Sequence, residues 1–275
     1  MEWSKLKNII ILILLLVNLF LLVMVGVQER DSVRYQEQAL SDAVTALGNN
    51  GIRLSDEKIP PQMGIGSMTV QRDRGLEAQL AGALLGECEE SDLGSGRYAY
   101  ESGLGSAEFR SNGNFSIVFS DGIPIAEGMD GEAAHALAFC AENGLHGVPA
   151  GREETADGAV SVALYQTWQE IPVYSCRITL QYRDNRLFSI SGQRLMGEPQ
   201  ADNGGEDLIS LPTALMRILT GVKDLGDICR EIVDLSPGYQ ITNPAEGTRM
   251  GPVWYVTTDT GSYWLNASTG KLERA

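Results

Sequence analysis

Tyr174-Ser175-Cys176-Arg177-Ile178-Thr179-Leu180-Gln181-Tyr182 alternates between apolar and polar side chains without a break. A period of two is the mark of a half-buried strand. Tyr174, Cys176, Ile178, Leu180 and Tyr182 share one expected face, and Ser175, Arg177, Thr179 and Gln181 share the other. The turn residues Arg183-Asp184-Asn185-Arg186 follow, and Phe188 and Ile190 mark a returning strand. Val160, Val162 and Leu164 mark another strand on the amino-terminal side. One buried face and one wet face imply an antiparallel sheet with helix cover on a single side.

The same order extends outward in both directions. Ahead of these strands, residues 132–143 read as a helix, with Asp130 as its expected cap and Gly144 as its stop. Further upstream come a short helix at 76–85, a polar loop at 86–96 and strands at 97–102, 107–111 and 114–120. Asn112-Gly113 joins the last two of these as a hairpin. Downstream, a polar linker at 197–206 precedes a helix with Ser210 as cap, Pro212 in its first turn, and Leu211, Leu215, Leu219 and Val222 in line. Strand material at 228–235 and 239–241 follows, then a hairpin through Asp259-Thr260-Gly261. The expected class is α+β: repeated helix-plus-antiparallel-sheet modules at 51–122, 123–200 and 201–275.

The amino terminus reads differently. Residues 9–27 form an uncharged apolar run whose one strongly polar side chain is Asn18. A helix of that length reaches roughly 28 Å, enough to cross a bilayer. The run is longer than a signal-peptide core and ends on a poor cleavage site, so an uncleaved transmembrane helix is expected. Lys5 and Lys7 precede it, and Glu29, Arg30 and Asp31 follow. That asymmetry places residues 1–8 in the cytoplasm and the bulk of the chain outside the cell membrane. A juxtamembrane helix at 28–50 is expected next, stopped by Gly48-Asn49-Asn50-Gly51. Asn18 has two readings: an amide tolerated within an apolar helix, or a helix–helix contact with a partner.

Met1-Glu2-Trp3-Ser4-Lys5-Leu6-Lys7, running into Asn8-Ile9-Ile10-Ile11, resembles the start of the YycI family, single-pass regulatory proteins related to YycH. The resemblance implies an extracytoplasmic regulator of a cell-wall-sensing two-component histidine kinase of the YycG (WalK) type, acting beside a YycH-like protein. Trp3, Ser4 and Asn18 are then the expected membrane-helix contacts with that partner. The carboxy-terminal stretch, from Pro252-Val253-Trp254-Tyr255-Val256 to Ser268-Thr269-Gly270-Lys271-Leu272, is similar to a PepSY-type module. That likeness implies the alternative function: a binding or inhibitory module acting on an exported peptidase or wall enzyme.

Charge and chemistry narrow the choices. The net charge of −15 disfavours nucleic acid, which rewards basic patches. Cys88, Cys140, Cys176 and Cys229 are widely spaced and read as buried thiols in preference to a disulfide framework. His135 and His146 are the only histidines, and neither lies in a metal-ligand spacing. No nucleophile or metalloprotease motif occurs. A non-enzymatic protein without metal or cofactor is therefore expected. Trp168, Tyr174, Trp254, Tyr255, Tyr263 and Trp264 form a candidate binding face, although alternation assigns most of them to the core or to cross-strand pairs.

Overall fold

The computed structural model describes residues 2–54, 59–60, 63–126, 128–156, 158–202, 208–242 and 248–275. Helix α1 (Glu2–Asn49) leads to the short strands β1 (Arg53–Leu54) and β2 (Met68–Val70). Three units follow, each a helix and then four strands. The first is α2 (Arg74–Leu85) with β3 (Glu89–Gly94), β4 (Arg97–Ser102), β5 (Gly105–Arg110) and β6 (Asn114–Pro124). The second is α3 (Gly131–Glu142) with β7 (Gly147–Glu154), β8 (Val160–Trp168), β9 (Ile171–Arg183) and β10 (Arg186–Gln193). Strand β11 (Pro199–Ala201) leads to the third: α4 (Leu211–Asp224) with β12 (Glu231–Thr242), β13 (Thr248–Thr258), β14 (Ser262–Asn266) and β15 (Leu272–Arg274).

Strand takes 45% of the chain and helix 29%, so the molecule is mostly β and the expected α+β class is corrected. The strands of successive units bond into one path, β11-β2-β13-β12-β9-β10-β6-β5-β4-β3, and are not closed off as separate modules. Each unit also holds one strand more than alternation revealed. Two of the missed strands, β3 and β7, pair on one side only. β3 is exposed at every position and occupies most of the stretch expected to be a loop. An edge strand that buries neither face carries no period-two signal.

Among the described residues no helix is long and apolar enough to cross a membrane. The expected span at 9–27 is therefore set aside, and with it the cytoplasmic amino terminus and the outward placement of the bulk. The apolar run and the helix expected at 28–50 form one 48-residue helix that continues through Glu29, Arg30 and Asp31 and ends at Asn49. The last turns of that helix pack on the third unit.

Packing explains the arrangement of the units. The first two share a core in which Phe109, Phe115 and Ile117 meet Ile178, Leu180 and Leu187. Their strands β6 and β10 pair antiparallel from Arg186↔Pro124 to Gln193↔Asn114. The third unit has its own core of Leu215, Ile218, Trp254 and Leu265, which Ala43 and Leu47 of α1 help to close. Burying a leucine side chain fully is worth about 1.5–3 kcal/mol, so this contact fixes the end of α1 firmly. Strand β1 adds a parallel pairing to β12, Arg53↔Glu231 and Leu54↔Ile232. The second and third units meet at one parallel register pair, Tyr239↔Val173. A small core of Val70, Val173, Cys176, Leu195, Tyr239 and Met250 lies at this seam.

Asp130 and Ser210 occupy the expected N-cap positions of α3 and α4. Asp73 caps α2 by accepting from the Gly75 amide at 2.7 Å. Asp130 and Ser210 make no side-chain cap bond. The Ser210 hydroxyl instead meets the Thr213 hydroxyl at 2.9 Å.

Candidate functional site

The seam between the second and third units opens into a groove of about 610 Å³. Small-molecule and cofactor sites commonly fall at about 300–1,000 Å³ and at junctions of this kind. Three tyrosines from three strands form its wall: Tyr165 on β8, Tyr174 on β9 and Tyr255 on β13. Tyr174 and Tyr255 stack with centroids 4.4 Å apart at 21°. Tyr165 stands edge-on to both, at 5.2 Å from Tyr174 and 6.5 Å from Tyr255.

A break in the strand ladder creates this cluster. Tyr165 pairs with Arg177 and Thr167 with Pro172, so the β8–β9 register shifts between Tyr165 and Thr167. Extra residues on one strand kink it and re-aim a side chain. Cys176 keeps its place in the seam core, where Val173 joins it. Tyr174 leaves the Cys176 face and joins Tyr165 and Arg177 along the groove. The expected grouping of Tyr174 with Cys176 is thereby corrected, while Ile178, Leu180 and Tyr182 sit in the main core.

Gly238 on β12 makes room for the ring. A Cβ there would lie 2.3 Å from Tyr174 Cε2 and 2.8 Å from the Pro172 carbonyl, closer than van der Waals contact allows. The Ser175 hydroxyl accepts from the Ile241 amide at 2.7 Å, next to the single register pair that joins the sheets. Burial raises the Tyr174 pKa first, and repulsion from Asp234, Tyr255 and Tyr165 adds to it. Burial also raises the Tyr165 pKa, followed by the proximity of Tyr255. Both phenols are therefore neutral hydrogen-bonding groups at physiological pH. Gln193, Gln240, Ser262 and Arg177 complete the polar lining.

The sequence-expected aromatics divide by face. Tyr255 pairs with Trp264 in the β13–β14 register, and both line the groove. Trp254 and Tyr263 point to the core side, at 0% and 3% exposure. Trp168 packs against the seam core. The alternation of Val160, Val162 and Leu164 puts Tyr165 on the opposite face, but nothing in the sequence brings it together with Tyr174 and Tyr255. Trp3 and Asn18 both lie on α1, exposed and outside the groove; the Ser4 side chain lies outside the described residues. The described large apolar side chains of α1 from Ile11 to Met24 are also exposed.

Two other polar clusters belong to the framework. His135 Nδ1 lies 2.9 Å from the Tyr182 hydroxyl in a buried pair, and burial lowers the His135 pKa. Glu77 is 1% exposed. It takes a two-pronged bond from Arg72, Nε to Oε1 at 2.8 Å and Nη2 to Oε2 at 2.9 Å. Arg72 Nη1 also donates to the Gly96 carbonyl. Arg194 Nη2 approaches Glu77 Oε1 only to 3.7 Å and makes no hydrogen bond among the described residues. Its other nitrogen donates to the Leu195 carbonyl at 3.0 Å. Burial lowers the Arg194 pKa despite Glu77, whereas the hydrogen bond to Glu77 raises that of Arg72. All four cysteines are free thiols. Among the described residues no group of three His, Cys, Asp or Glu side chains is placed to hold a metal ion.

Comparison with known proteins adds a fold likeness. No family model matches the chain, and no curated protein does. A crystal structure of an uncharacterized protein from Eubacterium rectale ATCC 33656 superposes with a TM-score of 0.50 at 13% identity. The match covers 78% of this chain and 86% of that one. Identity that low establishes a shared architecture and nothing about function.

Proposed function

We propose that this protein is a non-catalytic regulatory binding protein whose working surface is the tyrosine groove. The observation that carries the reading is the local register shift at Tyr165 and Thr167, which turns Tyr174 away from the Cys176 side and packs it, still buried, against Tyr255 along the groove. A ladder break that spends a large aromatic on a groove wall serves recognition better than stability. Rigid tyrosines with neutral hydroxyls and flanking amides bind by shape and hydrogen bonding. The resemblance of the opening residues to the YycI family supplies the partner class, a sensor histidine kinase with a YycH-like companion.

Affinity purification of the full chain from its host, with quantitative mass spectrometry, tests this. The kinase should be recovered with the native protein and fall about tenfold with Tyr255→Ala, since truncating an aromatic anchor commonly costs about 1–2 kcal/mol or more. Equal recovery with both proteins, or no kinase at all, would overturn the reading. Recovery of an exported peptidase in its place would favour the PepSY-like alternative.

A further inference from the structure

We infer that the groove binds an acidic peptide segment of a protein partner and that Arg177 is the anchor for its carboxylate. The inference rests on the binding role given to the groove above and names its ligand. Several arginines of this acidic molecule are matched, Arg53 with Glu231, Arg152 with Glu132, Arg249 with Asp202 and Arg274 with Asp227, and Arg186 donates to backbone carbonyls. Arg177 has no carboxylate partner among the described residues, although it lines the groove and pairs in register with Tyr165. An unpaired guanidinium in a concave wall focuses positive potential against an otherwise negative surface. Its planar fork suits a carboxylate in two-pronged contact.

The remaining lining fits a peptide. Gln193 and Gln240 each offer a donor and an acceptor, which is what a backbone amide requires. The tyrosine rings provide apolar area with hydroxyls at their tips. The carboxylate nearest in effect on this wall is Asp234, which acts on Tyr174. Asp234 already accepts from the Ser236 hydroxyl at 2.5 Å and is not among the lining side chains. Among the described residues that line the groove, Ala275 included, Arg177 is the one with an ionised side chain.

Selection of displayed random hexapeptides on the full native chain tests this, run in parallel on Arg177→Glu and Tyr255→Ala. On the native chain, Asp or Glu should be enriched at one position. A selected peptide should lose about tenfold in affinity when its glutamate becomes glutamine. On Arg177→Glu that preference should vanish or turn to Lys and Arg. Arg177 is exposed, so the exchange leaves the core intact and circular dichroism should match the native chain. An unchanged preference on Arg177→Glu would overturn the acidic-ligand inference. If peptides still lost binding with Tyr255→Ala, the groove itself would stand and only the ligand class would fall. Selected peptides indifferent to both substitutions, or no enrichment at all, would overturn the inference and the binding role together.

Discussion

Arg177 and Arg194 belong to adjoining strand segments yet have opposite surroundings. Arg177 follows Cys176 on β9 and is exposed in the groove; Arg194 follows Gln193 at the end of β10 and is 5% exposed. The buried guanidinium lies over the Phe109 ring at 5.3 Å and faces a Glu77 that Arg72 already holds. Its charge is committed to fixing the segment after β10 against α2. The exposed guanidinium is left for something outside the chain. Charge in the interior is costly unless matched, so the fold gathers its carboxylate and two arginines at one junction. The groove keeps its arginine wet, where an unmatched charge costs little.

That contrast sets the expected sizes of substitutions, measured by unfolding of the full chain. Ile178→Asp places an unpaired charge in the shared core and should cost about 4 kcal/mol or more, while Thr179→Asp on the partly exposed side should cost far less. Equal shifts in melting temperature would disprove the register. Glu77→Ala should cost about 3–5 kcal/mol by leaving two guanidinium groups without their carboxylate. A loss below about 1 kcal/mol would mean that the cluster is hydrated and not a buried clamp. Gly238→Ala should cost about 1–3 kcal/mol through overpacking against the Tyr174 ring. It should also weaken selected peptides, and retention of both stability and binding would show that the ring is not held in place. Arg177→Gln should change stability by no more than about 0.5 kcal/mol, because the side chain is exposed and unpaired.

Alkaline titration probes the thiols of the two cores. Burial pushes Cys140 and Cys176 from an ordinary 9.0 up to about 12. A folded-state pKa raised above the unfolded value stabilises fully below the lower value. That stability is lost as pH rises through the upper one. Stability should therefore decline between about pH 9 and 12, with a shallower slope for Cys140→Ala and Cys176→Ala. An unchanged slope in both variants would place the decline elsewhere.

Sequence periodicity revealed the strands whose faces differ. The strand at 174–182 and the Asn112-Gly113 hairpin were legible because each buries one face or demands a particular turn; Gly113 has φ of +83°. β3 and β7 were hidden because an exposed edge leaves no pattern. The end of α1 was legible in Gly48-Asn49-Asn50-Gly51, because glycine and asparagine there stop a helix whatever its hydropathy. The groove was legible only in part. Tyr255 and Trp264 stood out as aromatics, but Tyr165 did not, and Tyr174 was assigned to the wrong face. A ladder shift depends on how two strands meet, which neither strand's residues display singly. The Gly238 contact is likewise a property of the fold, since nothing around that glycine marks the ring above it.

The packing of α1 on α4 governs the order in which the protein can be assembled on the ribosome. Residues 43 and 47 emerge early, yet Leu215 and Ile218, which cover them, come late in synthesis. β2 likewise waits for its partner β13. The shared core of the first two units is contributed by residues 80–190 and is complete by the time β10 emerges. Those units are free to fold while the amino-terminal segment still waits. Pairing of distant segments closes a long loop and is intrinsically slow. Until it occurs the nascent chain exposes an apolar helix face that a chaperone is suited to hold. A chain stalled before residue 211 would therefore carry folded central units and an unsheltered α1.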